Sequence, residues 1–229
     1  MHDVRIVHNE ITPDIVFLEN NYLTLVIENK QYFYKYVSEL RNLIDGNPID
    51  NSFSLMIDGS CKPLSKYAGY LFDLSYIDFN GKSIINMVIK KIGNFLSQGS
   101  QLDNKVKIES IVTDIMENFK FDSNINIEYD VLLTEALIAK MANISLRNEY
   151  DDLLEKIISY IDLVVELQPI KIFLILFAKE YLDEQKLILL NRHCIDKGCK
   201  LLLIESNHFS NVYSNEQLYI IDNDLCVIS

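Results

Sequence analysis

The sequence predicts an α/β fold, and two segments of the chain support that prediction most directly. Residues 169–205 contain an apolar run at 172–178, a helical repeat with Asp183 as its N-cap and Gly198 as its C-terminal stop, and a second apolar run at 201–204. A strand, a helix and a strand in this order form a crossover, which forces the two strands to lie parallel. Residues 23–44 show the same change from a strand pattern to a helical one. The chain therefore predicts a parallel sheet of buried strands.

The other apolar segments add elements at both ends of the α/β part. Residues 15–18 and 23–27 are separated by Asn20 and Asn21, which predicts either a hairpin or a short strand followed by a core strand. Further strands are predicted at 53–57 and 68–77, a helix after Lys82, and a terminal hairpin from residues 218–221 and 225–228.

A helical block interrupts the α/β pattern. From residue 102 to residue 167 the apolar spacing predicts three helices, and the only strand pattern there is at 125–129. We therefore predict a discontinuous α/β domain made of residues 1–83 and 161–229, with a helical insertion at 84–160.

Composition limits the function. The chain has 229 residues, 49% of them hydrophobic, and a formal net charge of −12. This charge argues against a protein that binds nucleic acid over its whole surface, because phosphate binding needs local positive potential. It leaves open a local basic patch or a bound cation. The first ten residues do not form a leader and no apolar run spans a membrane, so we expect a cytoplasmic protein whose four cysteines are reduced.

The segment Asn80-Gly81-Lys82-Ser83 resembles the second half of a phosphate-binding loop. The first glycine of that motif is missing, because position 76 is tyrosine. The alternative interpretation is a turn in which Ser83 helps to start a helix. The chain contains no glycine-flanked serine elbow, no HExxH sequence and no zinc-site spacing, so it offers no hydrolase constellation.

Two further groups carry candidate binding chemistry. Glu128, Asp130 and Glu135 lie at a junction before a predicted helix, where carboxylates either coordinate a hard cation such as Ca²⁺ or favour the positive end of the helix dipole. Lys62 and Lys66, with Lys82 of the incomplete loop, lie in loops near the ends of predicted strands, which are suitable positions for meeting a phosphate.

The order of these parts resembles the type II-A CRISPR spacer-acquisition (adaptation) proteins. It runs from the strand and helix at 23–44, through Asp58, Lys62 and Lys66, to the acidic junction at 128–130 and the crossover at 171–205. The resemblance implies a domain related to P-loop ATPases with degenerate nucleotide motifs, and an extended helical part. It also implies a homotetrameric ring without catalytic activity that binds the ends of double-stranded DNA.

The same resemblance implies site residues and partners. Lys62 and Lys66 match the lysine-rich loop of the family, Glu128 and Asp130 match its structural calcium ligands, and Glu135 is displaced by one residue from its expected position. The implied partners are the integrase subunits and the RNA-guided effector nuclease of the same locus. Two alternatives stay open: a nucleotide-binding switch or weak ATPase that uses Lys82, and an assembly scaffold without nucleic-acid contacts.

Overall fold

The computed structural model describes residues 3–49, 52–123, 125–208 and 213–228. By its internal contacts the chain divides into two compact units, the first made of residues 1–77 with 149–229 and the second of Asp78–Asn148. The second unit is shorter than the predicted insertion at 84–160, because the helix that begins at Leu153 belongs to the first unit.

Ten strands and seven α-helices make up the regular structure of the described residues. The strands are β1 (Val4–His8), β2 (Ile11–Val16), β3 (Tyr22–Ile27), β4 (Ser54–Ile57), β5 (Ser60–Lys62), β6 (Ala68–Leu71), β7 (Ile172–Leu176), β8 (Lys200–Glu205), β9 (Glu216–Ile221) and β10 (Val227–Ile228). The helices are α1 (Lys30–Ile44), α2 (Leu64–Tyr67), α3 (Lys82–Leu96), α4 (Ser100–Asp122), α5 (Glu135–Met141), α6 (Leu153–Leu167) and α7 (Glu184–Asp196), with a 3-10 turn at Ala178–Glu180.

The first unit is built on a six-stranded sheet, within the described residues, in the order β10-β9-β3-β8-β7-β6. All neighbours are parallel except β10, which pairs antiparallel with β9. The crossover from β7 through α7 to β8 and the terminal β9–β10 hairpin are thus confirmed. Strand β7 is apolar and buried over its first four residues, as expected for a strand covered on both faces.

A second sheet in the same unit is antiparallel, in the order β2-β1-β4-β5. Because β2 and β3 belong to different sheets, residues 15–27 do not form a hairpin, and the alternative of a short strand followed by a core strand is confirmed. Strand β1 was not predicted. Its buried residues, Val4, Ile6 and His8, alternate with half-buried Arg5 and Val7, so its pattern is that of a strand with one covered face.

Capping interactions fix both ends of α7 as the sequence predicts. The side chain of Asp183 accepts a hydrogen bond from the Lys186 N–H, 2.9 Å away, at the helix N-terminus. At the other end Gly198 adopts a φ of 73°, and the Cys199 N–H donates to the Cys194 carbonyl at 2.9 Å. This left-handed glycine turn ends the helix and directs the chain into β8.

The second unit consists of α3, α4 and α5 with irregular segments between them. Residues 125–134 contain no strand, so the strand pattern at 125–129 is wrong. This segment is instead held against α4, because the Leu133 N–H donates to Glu109 Oε1 at 3.0 Å. Helix α3 packs against α5 at Gly93, where a Cβ would lie 3.3 Å from the Glu135 side chain.

No helix among the described residues is both long and apolar enough to cross a membrane.

Candidate nucleic-acid interface

Lys62 comes just before the single helical turn α2, and Lys66 lies within that turn. Lys62 ends β5, Pro63 follows, and the Pro63 carbonyl accepts from the Lys66 N–H at 3.1 Å to start α2. The Lys66 side chain is exposed, and its Nζ lies 5.4 Å from the centre of the Tyr67 ring. Neither lysine forms an ion pair with another described residue. Both ammonium groups are therefore available to an external anion.

The structure adds Lys171 to this pair, a residue that the sequence indicated only as the end of an apolar run. The Lys171 N–H donates to the Tyr67 carbonyl at 2.7 Å, so Lys66 and Lys171 mark the amino ends of the neighbouring strands β6 and β7. Lys171 also has no ion pair within the described chain. Lys62 ends β5, and Lys66 lies between β5 and β6.

Lys82 belongs to the second unit and is the first residue of α3. The predicted strand at 68–77 ends at Leu71, so Gly81 does not come directly after a strand. The residues between Leu71 and Gly81 form tight turns, in one of which Asp73 Oδ1 accepts from the Ser75 N–H at 2.9 Å. A phosphate loop needs a strand, a glycine-rich turn and a helix in immediate succession. The geometry thus lacks the context that a nucleotide-binding interpretation of Lys82 requires.

An α/β fold places anions at the turn between an interior strand and the following helix, which in this chain joins β3 to α1. Asn29 occupies that turn, and its Oδ1 accepts from the N–H groups of Gln31 and Tyr32 at 3.1 and 3.3 Å. Its Nδ2 donates to the Asn223 carbonyl at 3.1 Å. The side chain of Asn29 thus takes the place of an anion at this helix end. This arrangement does not favour the nucleotide-binding alternative.

The predicted calcium ligands lie in the second unit on its irregular segment. Glu128 and Asp130 are exposed and flank Tyr129, whose hydroxyl donates to Glu117 Oε1. That bond raises the pKa of the Tyr129 hydroxyl to about 12. Glu135 is the first residue of α5, where a carboxylate meets the positive end of the helix dipole.

Within the described residues no three His, Cys, Asp or Glu side chains are grouped so that they could hold a metal ion. Ca²⁺ takes six to eight oxygen ligands. A calcium ion held by Glu128, Asp130 and Glu135 would therefore need further oxygen ligands beyond the side chains that the described residues group together.

A buried charged cluster lies beside the sheet of the first unit, and the sequence did not indicate it. Lys179 Nζ lies 2.5 Å from Glu216 Oε1, and both side chains are almost completely buried. The Lys179 N–H donates to Glu205 Oε1 at 2.9 Å. Glu205 is 1% exposed, and burial raises the pKa of its carboxyl to about 7. These groups are not available to DNA, and they connect the ends of β7, β8 and β9.

The comparison with protein families decides the relationship. A family model described as CRISPR-associated protein (Cas_Csn2) matches residues 50–225. The chain belongs to the Cas_Csn2 family. This confirms the resemblance to CRISPR adaptation proteins, and all six predicted site residues lie inside the matched range. No curated protein matches the chain.

A solved structure shows the same fold. The crystal structure of Stu0660 of Streptococcus thermophilus is similar to this chain with a TM-score of 0.59 at 13% sequence identity. The alignment covers 96% of this chain and 75% of that one. At this identity the likeness concerns the fold alone. Membership of the Cas_Csn2 family, in contrast, assigns the chain to a CRISPR system.

Proposed function

We propose that this protein binds the ends of double-stranded DNA as a homotetrameric ring and thereby supports the acquisition of new CRISPR spacers. The observation that carries the proposal is the Cas_Csn2 family match over residues 50–225. In this role the protein positions DNA and performs no reaction. Its partners are the integrase subunits and the RNA-guided effector nuclease of the same locus.

The distribution of charge supports a local mode of DNA binding. Residues 78–148 hold eight of the 21 basic and nine of the 33 acidic residues, so nearly all of the excess negative charge belongs to the first unit. That unit repels DNA as a whole. Binding must therefore rely on particular cations, and Lys62, Lys66 and Lys171 are cations of this unit without a carboxylate partner in the described chain.

Contacts between lysines and phosphates predict binding that ignores sequence and weakens steeply with salt. Each phosphate contact contributes about 0.9 to the slope of log K against log salt concentration. We include Lys82 in the proposed set, because it is exposed and has no ion pair with a described residue.

Calcium remains part of the proposal as a structural ion, with Glu128, Asp130 and Glu135 as the predicted carboxylate ligands. Calorimetric titration with Ca²⁺ tests it on the wild type and on the variant Glu128→Gln with Asp130→Asn. We expect heat of binding only from the wild type. Equal binding by both proteins would assign the ion to other ligands.

The proposed function is tested by two measurements in the same buffer. Light scattering gives the mass of the protein, for which we expect four chains. Titration with a linear duplex and with a closed circle of the same sequence then separates binding to ends from binding along the helix. We expect the linear duplex alone to bind. An oligomer that binds neither DNA would favour the scaffold alternative and overturn the proposal.

A further inference from the structure

The turn that ends α7 brings two cysteines together. The Gly198 N–H donates to the Ile195 carbonyl at 2.9 Å, and the Cys199 N–H donates to the Cys194 carbonyl at 2.9 Å. These two bonds around a left-handed glycine form a Schellman motif, in which the side chains of the first and last bonded residues commonly touch. That contact is usually apolar. In this chain both of its positions carry a thiol.

The two thiols are hydrogen-bonded neighbours. The Cys199 thiol donates to the Cys194 carbonyl at 3.3 Å, and the side chains of the two cysteines also interact by a hydrogen bond. Both residues are completely buried, and both are free thiols. Because backbone bonds hold the turn, folding already places the two sulfur atoms beside each other. The chain therefore has little left to move when a disulfide forms.

The turn over this pair lies at the surface. Asp196, Lys197 and Gly198, which separate the two cysteines, are all exposed. The ends of helices open locally at a lower cost than the strands of a buried sheet. An oxidant as small as hydrogen peroxide therefore reaches the pair without unfolding of the sheet.

The surroundings make the two thiols unequal. The hydrogen bond from Cys194 lowers the pKa of the Cys199 thiol, and the Lys171 ammonium acts in the same direction, whereas burial and the Asp162 carboxylate oppose them. The same hydrogen bond raises the pKa of the Cys194 thiol, and burial adds to this. Since the thiolate is the nucleophile, Cys199 is the thiol that attacks and Cys194 the one that resolves.

We propose that Cys194 and Cys199 are a redox-active dithiol, which a peroxide oxidises to a disulfide across the end of α7. The Cys199 thiolate attacks one oxygen of hydrogen peroxide, the O–O bond breaks, and hydroxide leaves a sulfenic acid behind. The Cys194 sulfur then attacks the sulfenic sulfur, the S–O bond breaks, and water leaves. Two thiols and one peroxide thus give one disulfide and two waters, and the two electrons lost by sulfur reduce the peroxide.

The disulfide would join the end of α7 to the start of β8, close to the candidate interface. The Lys200 N–H donates to the Lys171 carbonyl at 2.9 Å, so the residue after Cys199 is bonded to one of the lysines proposed to meet DNA. A cross-link across this turn limits its local opening. The disulfide forms with or without DNA, so its test is independent of the proposed function.

The first test uses the full chain with Cys61→Ser and Cys226→Ser, which removes the two exposed thiols. The folded protein is treated with hydrogen peroxide, remaining thiols are blocked with N-ethylmaleimide in urea, and trypsin is added. Cleavage after Lys197 separates the two cysteines, so their peptides stay joined only through a disulfide. We expect joined peptides that dithiothreitol separates. Two blocked thiols, or a disulfide that forms only when peroxide is added in urea, would overturn the proposal.

Single replacements test the two roles. In the same background, Cys194→Ser should retain a sulfenic acid on Cys199 that dimedone traps, whereas Cys199→Ser is the matched control that leaves Cys194 unprotected by its neighbour. We expect dimedone to label Cys199 at least ~10-fold faster than Cys194, because each pKa unit changes the thiolate fraction about tenfold. Equal labelling, or faster labelling of Cys194, would overturn the assigned order of attack. Circular dichroism checks that both variants fold, and the first test needs neither of them.

Discussion

The buried carboxyl of Glu205 makes the stability of this protein depend on pH in an unusual direction. In the unfolded chain its pKa is the ordinary 4.5, whereas burial in the folded protein raises it to about 7. The groups that face it are Lys179, which opposes the increase, and Glu180 and Glu216, which add to it. Because the folded state holds the proton more tightly, this group favours the folded state most at pH values below 4.5. That contribution is lost as the pH rises through about 7.

The magnitude follows from the two pKa values. A difference of about 2.5 pKa units at about 1.4 kcal/mol each gives a loss of about 3 kcal/mol in the free energy of unfolding between acidic and neutral pH. Replacement of Glu205 by glutamine removes the charge and keeps an oxygen that accepts from the Lys179 N–H. We therefore expect Glu205→Gln to stabilise the protein above pH ~7 by up to about 3 kcal/mol, and to have little effect near pH ~5.

Urea unfolding of the wild type and of Glu205→Gln at several pH values from about 5 to about 8 measures this difference directly. Glu19→Gln is the control, because Glu19 is exposed and the substitution changes the net charge by the same amount. A constant difference between Glu205→Gln and the wild type at all pH values would refute the argument. A greater loss of stability at high pH in Glu205→Gln than in the wild type would also refute it.

Three further changes have expected outcomes. Lys62→Glu with Lys66→Glu should weaken duplex binding and lower the salt slope by about 0.9 for each lost phosphate contact, with no change in mass; unchanged affinity would remove both lysines from the interface. Gly69→Ala should destabilise the protein by about 1–3 kcal/mol, because the new Cβ would lie 2.6 Å from the buried Phe173 ring, and calorimetry checks it. Asn29→Ala should lower the free energy of unfolding by about 1 kcal/mol through loss of the α1 cap, whereas Asn29→Gly should lower it by only a few tenths. Equal unfolding midpoints for the wild type and the two variants would contradict this.

The elements that the sequence predicts well are those with a strong local pattern, either a continuous apolar run or a helical repeat with clear end signals. The crossover from β7 to β8 depends on continuous apolar runs, and α7 on Asp183 and Gly198 at its two ends. The failures have local causes. Strand β6 ends at Leu71, although apolar residues continue to position 77, because Asp73 and Asp78 accept backbone hydrogen bonds and form turns.

The site is less predictable than the fold, because it depends on how distant residues are brought together. Lys171 and Lys179 appear in the sequence only as the charged ends of one apolar run. In the structure Lys171 joins Lys66 at the amino ends of two strands, whereas Lys179 is buried between Glu205 and Glu216. Sequence spacing does not distinguish a lysine that is free to meet phosphate from one that is paired inside the protein.

The central claim is that the protein engages duplex DNA through its ends. The most direct measurement compares one linear duplex with free ends and the same duplex with biotin at both ends blocked by streptavidin, at constant protein and salt. We predict tight binding to the free duplex and loss of binding when both ends are blocked before the protein is added. Equal binding to the two duplexes would contradict the claim, because it would mean that the protein attaches along the side of the DNA.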